Sequence, residues 1–87
     1  MKVNVRAYGN LMHVINSKDA EELEDGKTIK DLIKGLEERI EKKDLHLLRD
    51  LNLTILVNGR NIHSLRGLRT ILRDGDVVTF IPLVVGG

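Results

Sequence analysis

Between Thr28 and Lys43 the apolar residues Ile29, Leu32, Ile33, Leu36 and Ile40 recur at helical spacing. They form one stripe, with Lys30, Lys34, Glu37, Glu38 and Glu41 on the opposite face. Thr28 suits the N-cap, and Asp31 three residues later completes a capping box. Glu38 and Lys42 are spaced for an i,i+4 pair, and Lys42 and Lys43 complement the negative end of the helix dipole. A helix with a single apolar face must bury it against another layer, and the segments on either side read as strands.

Lys2-Val3-Asn4-Val5-Arg6-Ala7 alternates polar and apolar residues, the mark of a half-buried strand. Gly9-Asn10 suits a tight turn. Leu11 to Ile15 fits either a return strand or one helical turn, because Leu11 and Ile15 are also i and i+4. The acidic run from Asp19 to Asp25 fits a charged edge strand or a solvated loop. Gly26-Lys27-Thr28 resembles the end of a phosphate-binding loop, but Glu21 stands where that motif needs Gly and the flanking carboxylates repel phosphate. That reading is rejected. Asp44 to Leu51 is an apolar connector with a short helical turn. Leu53 to Val57, the Asn58-Gly59 turn and Arg60-Asn61-Ile62 then read as a hairpin. Leu65 to Leu72 allows at most one helical turn, since Gly67 interrupts it. Asp74-Gly75-Asp76 turns the chain into a last strand, Val77 to Ile81. The expected architecture is α+β: a mixed four- to five-stranded sheet with one main helix on one face. Its first and last strands can pair in parallel through a crossover that contains the helix, which anchors the end of the chain in the middle of the sheet.

Catalytic constellations are missing from this pattern. The 87 residues include no cysteine, so no side chain can carry a thioester or persulfide. His13, His46 and His63 lack ligand spacing, and no Ser sits in a nucleophile motif. A metal site and a self-sufficient enzyme are therefore not expected. A net charge of +1 argues against a protein built on phosphate neutralisation. Arg60, Arg66, Arg69 and Arg73 form a weak basic cluster without the aromatic platform that bases stack on, which favours solvated arginines, or arginines on an acidic protein partner, over RNA. No run of membrane-spanning length or export signal is visible, so a cytoplasmic protein is expected.

What remains is the end of the sequence, with residues 1–82 as the domain and 83–87 as a tail. Pro82 has no N–H to donate and marks the stop of ladder pairing. Beyond it, Leu83, Val84, Val85, Gly86 and Gly87 can extend roughly 16–18 Å at 3.3–3.6 Å per residue. Two glycines give a tip without side chains, suited to a narrow channel in a partner, with the Gly87 carboxylate as the reactive group.

Asn58-Gly59, Asp74-Gly75-Asp76, Ile81-Pro82 and Gly86-Gly87, behind an N-terminal strand and a Thr-capped helix, resemble the MoaD/ThiS family of ubiquitin-like sulfur carriers over the whole chain. Length and the ending place it nearer the MoaD branch, the small subunit of molybdopterin synthase. The resemblance implies a β-grasp fold and puts the second strand near Ala20–Glu24 instead of Leu11–Ile15. It also implies that an E1-like adenylyltransferase (MoeB/ThiF type) uses ATP and magnesium to adenylate Gly87, and that sulfur transfer then yields a thiocarboxylate. No cofactor is expected on the chain itself. Pro82 to Val85 would line the entry channel of a large subunit (MoaE type), with Gly86 giving slim access. Two positions depart from the family pattern: Leu83-Val84-Val85 replaces a second proline and a small residue, and Asn16-Ser17 stands where a Gly is common. The same carboxyl activation also serves a protein modifier joined to target lysines, or a carrier for tRNA thiolation or thiamine synthesis.

Overall fold

The computed structural model describes residues 1–16 and 20–83. Seven regular elements follow one another: β1 (Lys2–Ala7), β2 (Glu21–Glu22), α1 (Ile29–Glu37), α2 (Leu45–Leu48), β3 (Thr54–Val57), β4 (Arg60–Asn61) and β5 (Val77–Ile81). The strands form one mixed sheet in the order β2-β1-β5-β3-β4. β1 runs parallel to β5, with Val5 opposite Val78 and Ala7 opposite Phe80. On its other side β5 is antiparallel to β3, with Ile55 opposite Phe80. The last strand is thus the middle strand, as the expected crossover requires. The architecture is a β-grasp.

The second strand is the Glu21–Glu22 pair, antiparallel to β1, and not Leu11–Ile15. Gly9–His13 forms a 3-10 turn that buries Leu11. The hairpin reading of Gly9-Asn10 fails: the Leu11 N–H turns back to the Tyr8 carbonyl and the Ile15 N–H to the Leu11 carbonyl, so the segment bonds to itself and not to β1.

Helix α1 starts as its cap predicts. The Thr28 N–H donates to Asp31 Oδ2 at 2.9 Å, and the Asp31 N–H donates to Thr28 Oγ1 at 3.4 Å. Ile29, Leu32 and Leu36 are buried on the sheet. The helix ends earlier than its stripe suggested. Arg39 N–H closes a 3-10 contact on the Leu36 carbonyl, and Lys42 and Lys43 belong to a separate 3-10 turn, Lys42–Asp44. Two causes act at this end: Gly35 lowers helix propensity in the last turn, and the Arg39 guanidinium is engaged by Glu21 on β2. The Glu38–Lys42 pair and the dipole role of Lys42 and Lys43 fall with the helical continuation they assumed.

The Thr28 hydrogen bonds, backbone first and hydroxyl second, hold the Asp31 carboxyl below the usual carboxylate range. A carboxyl lowered on folding stabilises the fold above its unfolded value and loses that contribution as pH falls through the folded value. Asp31→Ala should therefore melt below the parent at pH 7, and the gap should close as the pH drops below about 4. Thr28→Ala removes the cap oxygen and should cost about 1 kcal/mol, a fall of about 4–8 °C in Tm for a domain of this size. Thermal melts followed by circular dichroism across that pH range check both.

The core is aliphatic around one ring. Val3, Val5, Leu11, Ile29, Leu32, Leu72, Val78 and Phe80 are the best-buried side chains. Phe80, the single core aromatic, sits on the central strand with no accessible surface.

Candidate functional site

The site begins where β5 ends. Both ends of this strand are fixed. At its start, Val77 N–H donates to Asn58 Oδ1 at 2.9 Å, and Asn58 Nδ2 donates to Asp76 Oδ1 at 2.9 Å. Asp76 Oδ2 accepts the Arg73 N–H at 2.8 Å, and the Gly75 N–H donates to the Lys2 carbonyl at 2.7 Å. Asn58 holds φ 51° and Gly59 φ 82°, the left-handed pair that a tight β3–β4 turn demands. The Asn58-Gly59 and Asp74-Gly75-Asp76 segments, 16 positions apart, thus form one hydrogen-bonded unit that sets the register of the last strand.

At the far end, Tyr8 N–H donates to the Phe80 carbonyl at 3.1 Å, and pairing stops at Ile81. Pro82 follows half-buried and Leu83 exposed. Of the residues expected to act, Pro82 and Leu83 are therefore placed directly after the central strand. Val84, Val85, Gly86 and Gly87 lie outside the described residues.

Gly9 supports Pro82, a role its own sequence neighbourhood does not announce. Gly9 adopts φ +59°, and a Cβ added there would meet Pro82 Cγ at 2.9 Å. Real Cβ atoms do not approach so closely, so the ring rests on a backbone surface that only glycine provides. The parallel β1–β5 register brings these residues together across the length of the chain. A lone Gly after a strand carries no sign of that partner. Gly9→Ala should destabilise the domain by about 1–2 kcal/mol from the left-handed conformation alone, with an added cost from Pro82. In a Pro82→Ala background the added cost should vanish, so a double-mutant cycle by denaturant unfolding should show a coupling of at least about 0.5 kcal/mol.

The face of the sheet away from α1 leads to the same point. Strand alternation puts Arg6, Leu56, Thr79 and Ile81 on it, with Arg6 and Leu56 both opposite Thr79, and Thr54 opposite Ile81. Leu56, Thr79 and Ile81 are half-buried and Arg6 is exposed. This makes a mixed apolar and cationic band that ends at Pro82. His13, His46 and His63 are all exposed and distributed over three separate segments. Among the described residues no group of three or more His, Asp or Glu side chains converges as a metal site would need. No helix among them is long and apolar enough to cross a membrane.

Sequence and structure comparisons agree with this arrangement. A protein of Archaeoglobus fulgidus described as a sulfur carrier protein is 42% identical over 93 aligned positions covering all of both chains. Small archaeal modifier protein 3 of Haloferax volcanii is 29% identical over 92 positions, again covering all of both. Among solved structures, a Pyrococcus furiosus protein described as molybdopterin converting factor, subunit 1, superposes with a TM-score of 0.76 at 28% identity. It covers 95% of this chain and 98% of its own. A central last strand pinned by the Asn58 and Asp76 turns leads, through Pro82, to Gly86-Gly87, and the match to the ThiS family runs unbroken over residues 5–87, so the chain belongs to that family.

Proposed function

We propose that this protein is a sulfur carrier whose Gly87 carboxylate is adenylated and then converted to a thiocarboxylate. The observation that carries the reading is the division between a fixed domain and the tail. β5 is tied on both sides up to Ile81, while the family match continues through Gly86-Gly87. The chemistry follows from what a carboxylate lacks. It is a poor electrophile, and attack of its oxygen on the α-phosphorus of ATP releases pyrophosphate and leaves an acyl-adenylate. Hydrosulfide-level sulfur then adds to the acyl carbon and AMP departs, which leaves the thiocarboxylate. A persulfide donor leaves an acyl disulfide instead, and a thiol of the donor system must cleave its S–S bond, becoming a disulfide itself, to release the thiocarboxylate. This chain has no cysteine, so the catalytic groups come from partners: an E1-like adenylyltransferase supplies the adenylation site, with ATP and magnesium, and the sulfur comes from outside this chain. The half-exposed band of Leu56, Thr79 and Ile81 beside Pro82 offers the docking face that guides the tail into such a partner.

For the sulfur acceptor, the resemblance to a molybdopterin converting factor subunit favours a pterin precursor in molybdenum cofactor synthesis, with a large subunit receiving Pro82 to Gly87. A second reading has an observation of its own. A relative matched over its whole length is described as a small archaeal modifier protein, so conjugation of Gly87 to target lysines uses the same activated carboxyl.

Co-expression with the native activating enzyme, followed by intact mass spectrometry, tests the carrier chemistry. The expected product is heavier by the difference between one sulfur and one oxygen, localised to the C-terminal peptide. An unmodified carboxylate under those conditions overturns it. Glycine remnants on target lysines after denaturing purification would select the modifier reading.

A further inference from the structure

On the helix side of the sheet, away from Pro82 and the Leu56–Thr79 face, a groove of about 420 Å³ runs between α1, the turn after α2 and the Gly67–Arg69 turn. Leu53, Ile55 and Ile62 form its floor and are buried. Its rims are unusual for a surface without a partner. Leu51 is 98% exposed and Leu68 is 47% exposed, so each side carries a leucine facing water.

Both rims are held in place. The Asn52 N–H donates to Asp50 Oδ1 at 2.9 Å and Leu53 N–H to the Asp50 carbonyl at 3.1 Å, while Arg49 pairs with Glu37 of α1 at 2.6 Å. The turn that presents Leu51 is thus fastened to the helix. Opposite it, Thr70 Oγ1 donates to the Gly67 carbonyl at 2.7 Å and accepts the Arg66 N–H at 3.1 Å, and the Thr70 carbonyl accepts the Ile29 N–H at 3.0 Å. Holding a solvent-facing leucine on a fastened turn lowers the ordering cost of docking against it.

The charge on the rim selects the occupant. Its two carboxylates are engaged, Glu37 by Arg49 and Asp50 by its own turn. Lys30 and Lys34, one helical turn apart on α1, have no ion-pair partner among the described residues, nor do Arg66 and Arg69 next to Leu68. The acidic side chains Glu21, Glu22, Glu24 and Asp25 sit at the opposite edge of the sheet, on and after β2. A protein of net charge +1 thus presents an apolar groove flanked by cations that form no ion pair among the described residues. We infer that this groove docks an acidic amphipathic helix of a partner protein, with apolar anchors between Leu51 and Leu68 and carboxylates over Lys30, Lys34 and Arg69. The site is independent of the tail chemistry and leaves the tail and the outer sheet face free, so two partners can be held at once.

The test is an NMR titration of the full ¹⁵N-labelled chain with a synthetic helical peptide of about four turns. The peptide carries leucines at i, i+3, i+4 and i+7 and glutamates on the flanks. Its twin has every glutamate replaced by lysine. The expected result is chemical-shift change at Ile33, Lys34, Leu51 and Leu68 with the glutamate peptide, and none with the lysine twin. Leu51→Ser, at a position with no packing to lose, and Lys30→Gln/Lys34→Gln should each weaken binding about five- to tenfold, with unchanged melting. The inference is overturned if both peptides bind equally, if neither binds, or if the shifts map to Leu56 and Thr79. Concentration-dependent shifts at the groove without peptide would assign it to a second copy of this chain, and tighter binding of oligouridylate at the same residues would assign it to RNA. Either result also overturns the inference.

Discussion

Deleting Gly86 and Gly87 is expected to abolish carboxyl activation completely while leaving the melting temperature unchanged. The two halves of that result have separate physical grounds. Among the described residues every member of the buried core lies at or before Phe80, and the last strand ends at Ile81. Removing two glycines, which have no side chain, takes no apolar side chain out of the protein. Activation is different, because each residue removed shortens the arm by about 3.3–3.6 Å. Two residues withdraw the new carboxylate, now on Val85, by about 7 Å, far outside the near-attack range of roughly 3–3.5 Å that an attacking oxygen needs. The new terminus also carries a branched side chain where a glycine-sized channel is expected. Pyrophosphate release by the activating enzyme, measured beside a thermal melt, reads both halves. Full activity in the truncated chain would remove the tail from the mechanism. Lost activity with a lowered Tm would show that the tail also supports the fold.

The parts of the fold that were legible in the sequence are those fixed by local chemistry. The Thr28–Asp31 box, the Asn58-Gly59 turn and the alternation of β1 and β5 each declare themselves within a few residues, because a cap, a left-handed pair or a period of two needs no distant partner. The parts that were not legible depend on long-range neighbours. Gly9-Asn10 has the composition of a hairpin turn, but it starts a 3-10 turn that buries Leu11 in a core built by distant segments. The α1 stripe continues to Ile40 in the sequence, but the helix stops at Glu37, where Arg39 is engaged by Glu21 across to β2. At the site, Pro82 was legible because a missing N–H is a local property. Its seat on Gly9 was not, since it arises from the parallel pairing of the first and last strands. Acidic residues 21–22 show the intermediate case: composition allowed an edge strand or a loop, and the family resemblance chose correctly.

Phe80→Ala is expected to be the most damaging single substitution in the domain, costing about 3–5 kcal/mol. The ring has no accessible surface, is the only aromatic in an otherwise aliphatic core, and sits on the central strand opposite both Ala7 and Ile55. Its loss leaves a cavity between helix and sheet that the neighbours cannot close, because β1 and β3 hold β5 by hydrogen bonds on both edges. Small domains have total stabilities of roughly 5–15 kcal/mol, so the variant should be marginal at 37 °C. Phe80→Leu keeps most of the volume and should cost appreciably less, which separates cavity formation from loss of the aromatic ring. Because Phe80 lies two residues before Pro82 and its carbonyl accepts the Tyr8 N–H, looseness here also reaches the base of the tail. Activation of Gly87 in Phe80→Ala should therefore fall more than the folded fraction accounts for. Hydrogen exchange at Tyr8, measured with the activation rate at a temperature where the variant is still folded, decides this. Protected Tyr8 with slowed activation would break the link between core packing and tail placement. Exchange and activation that change together would establish that the domain places its tail through the rigidity of its central strand.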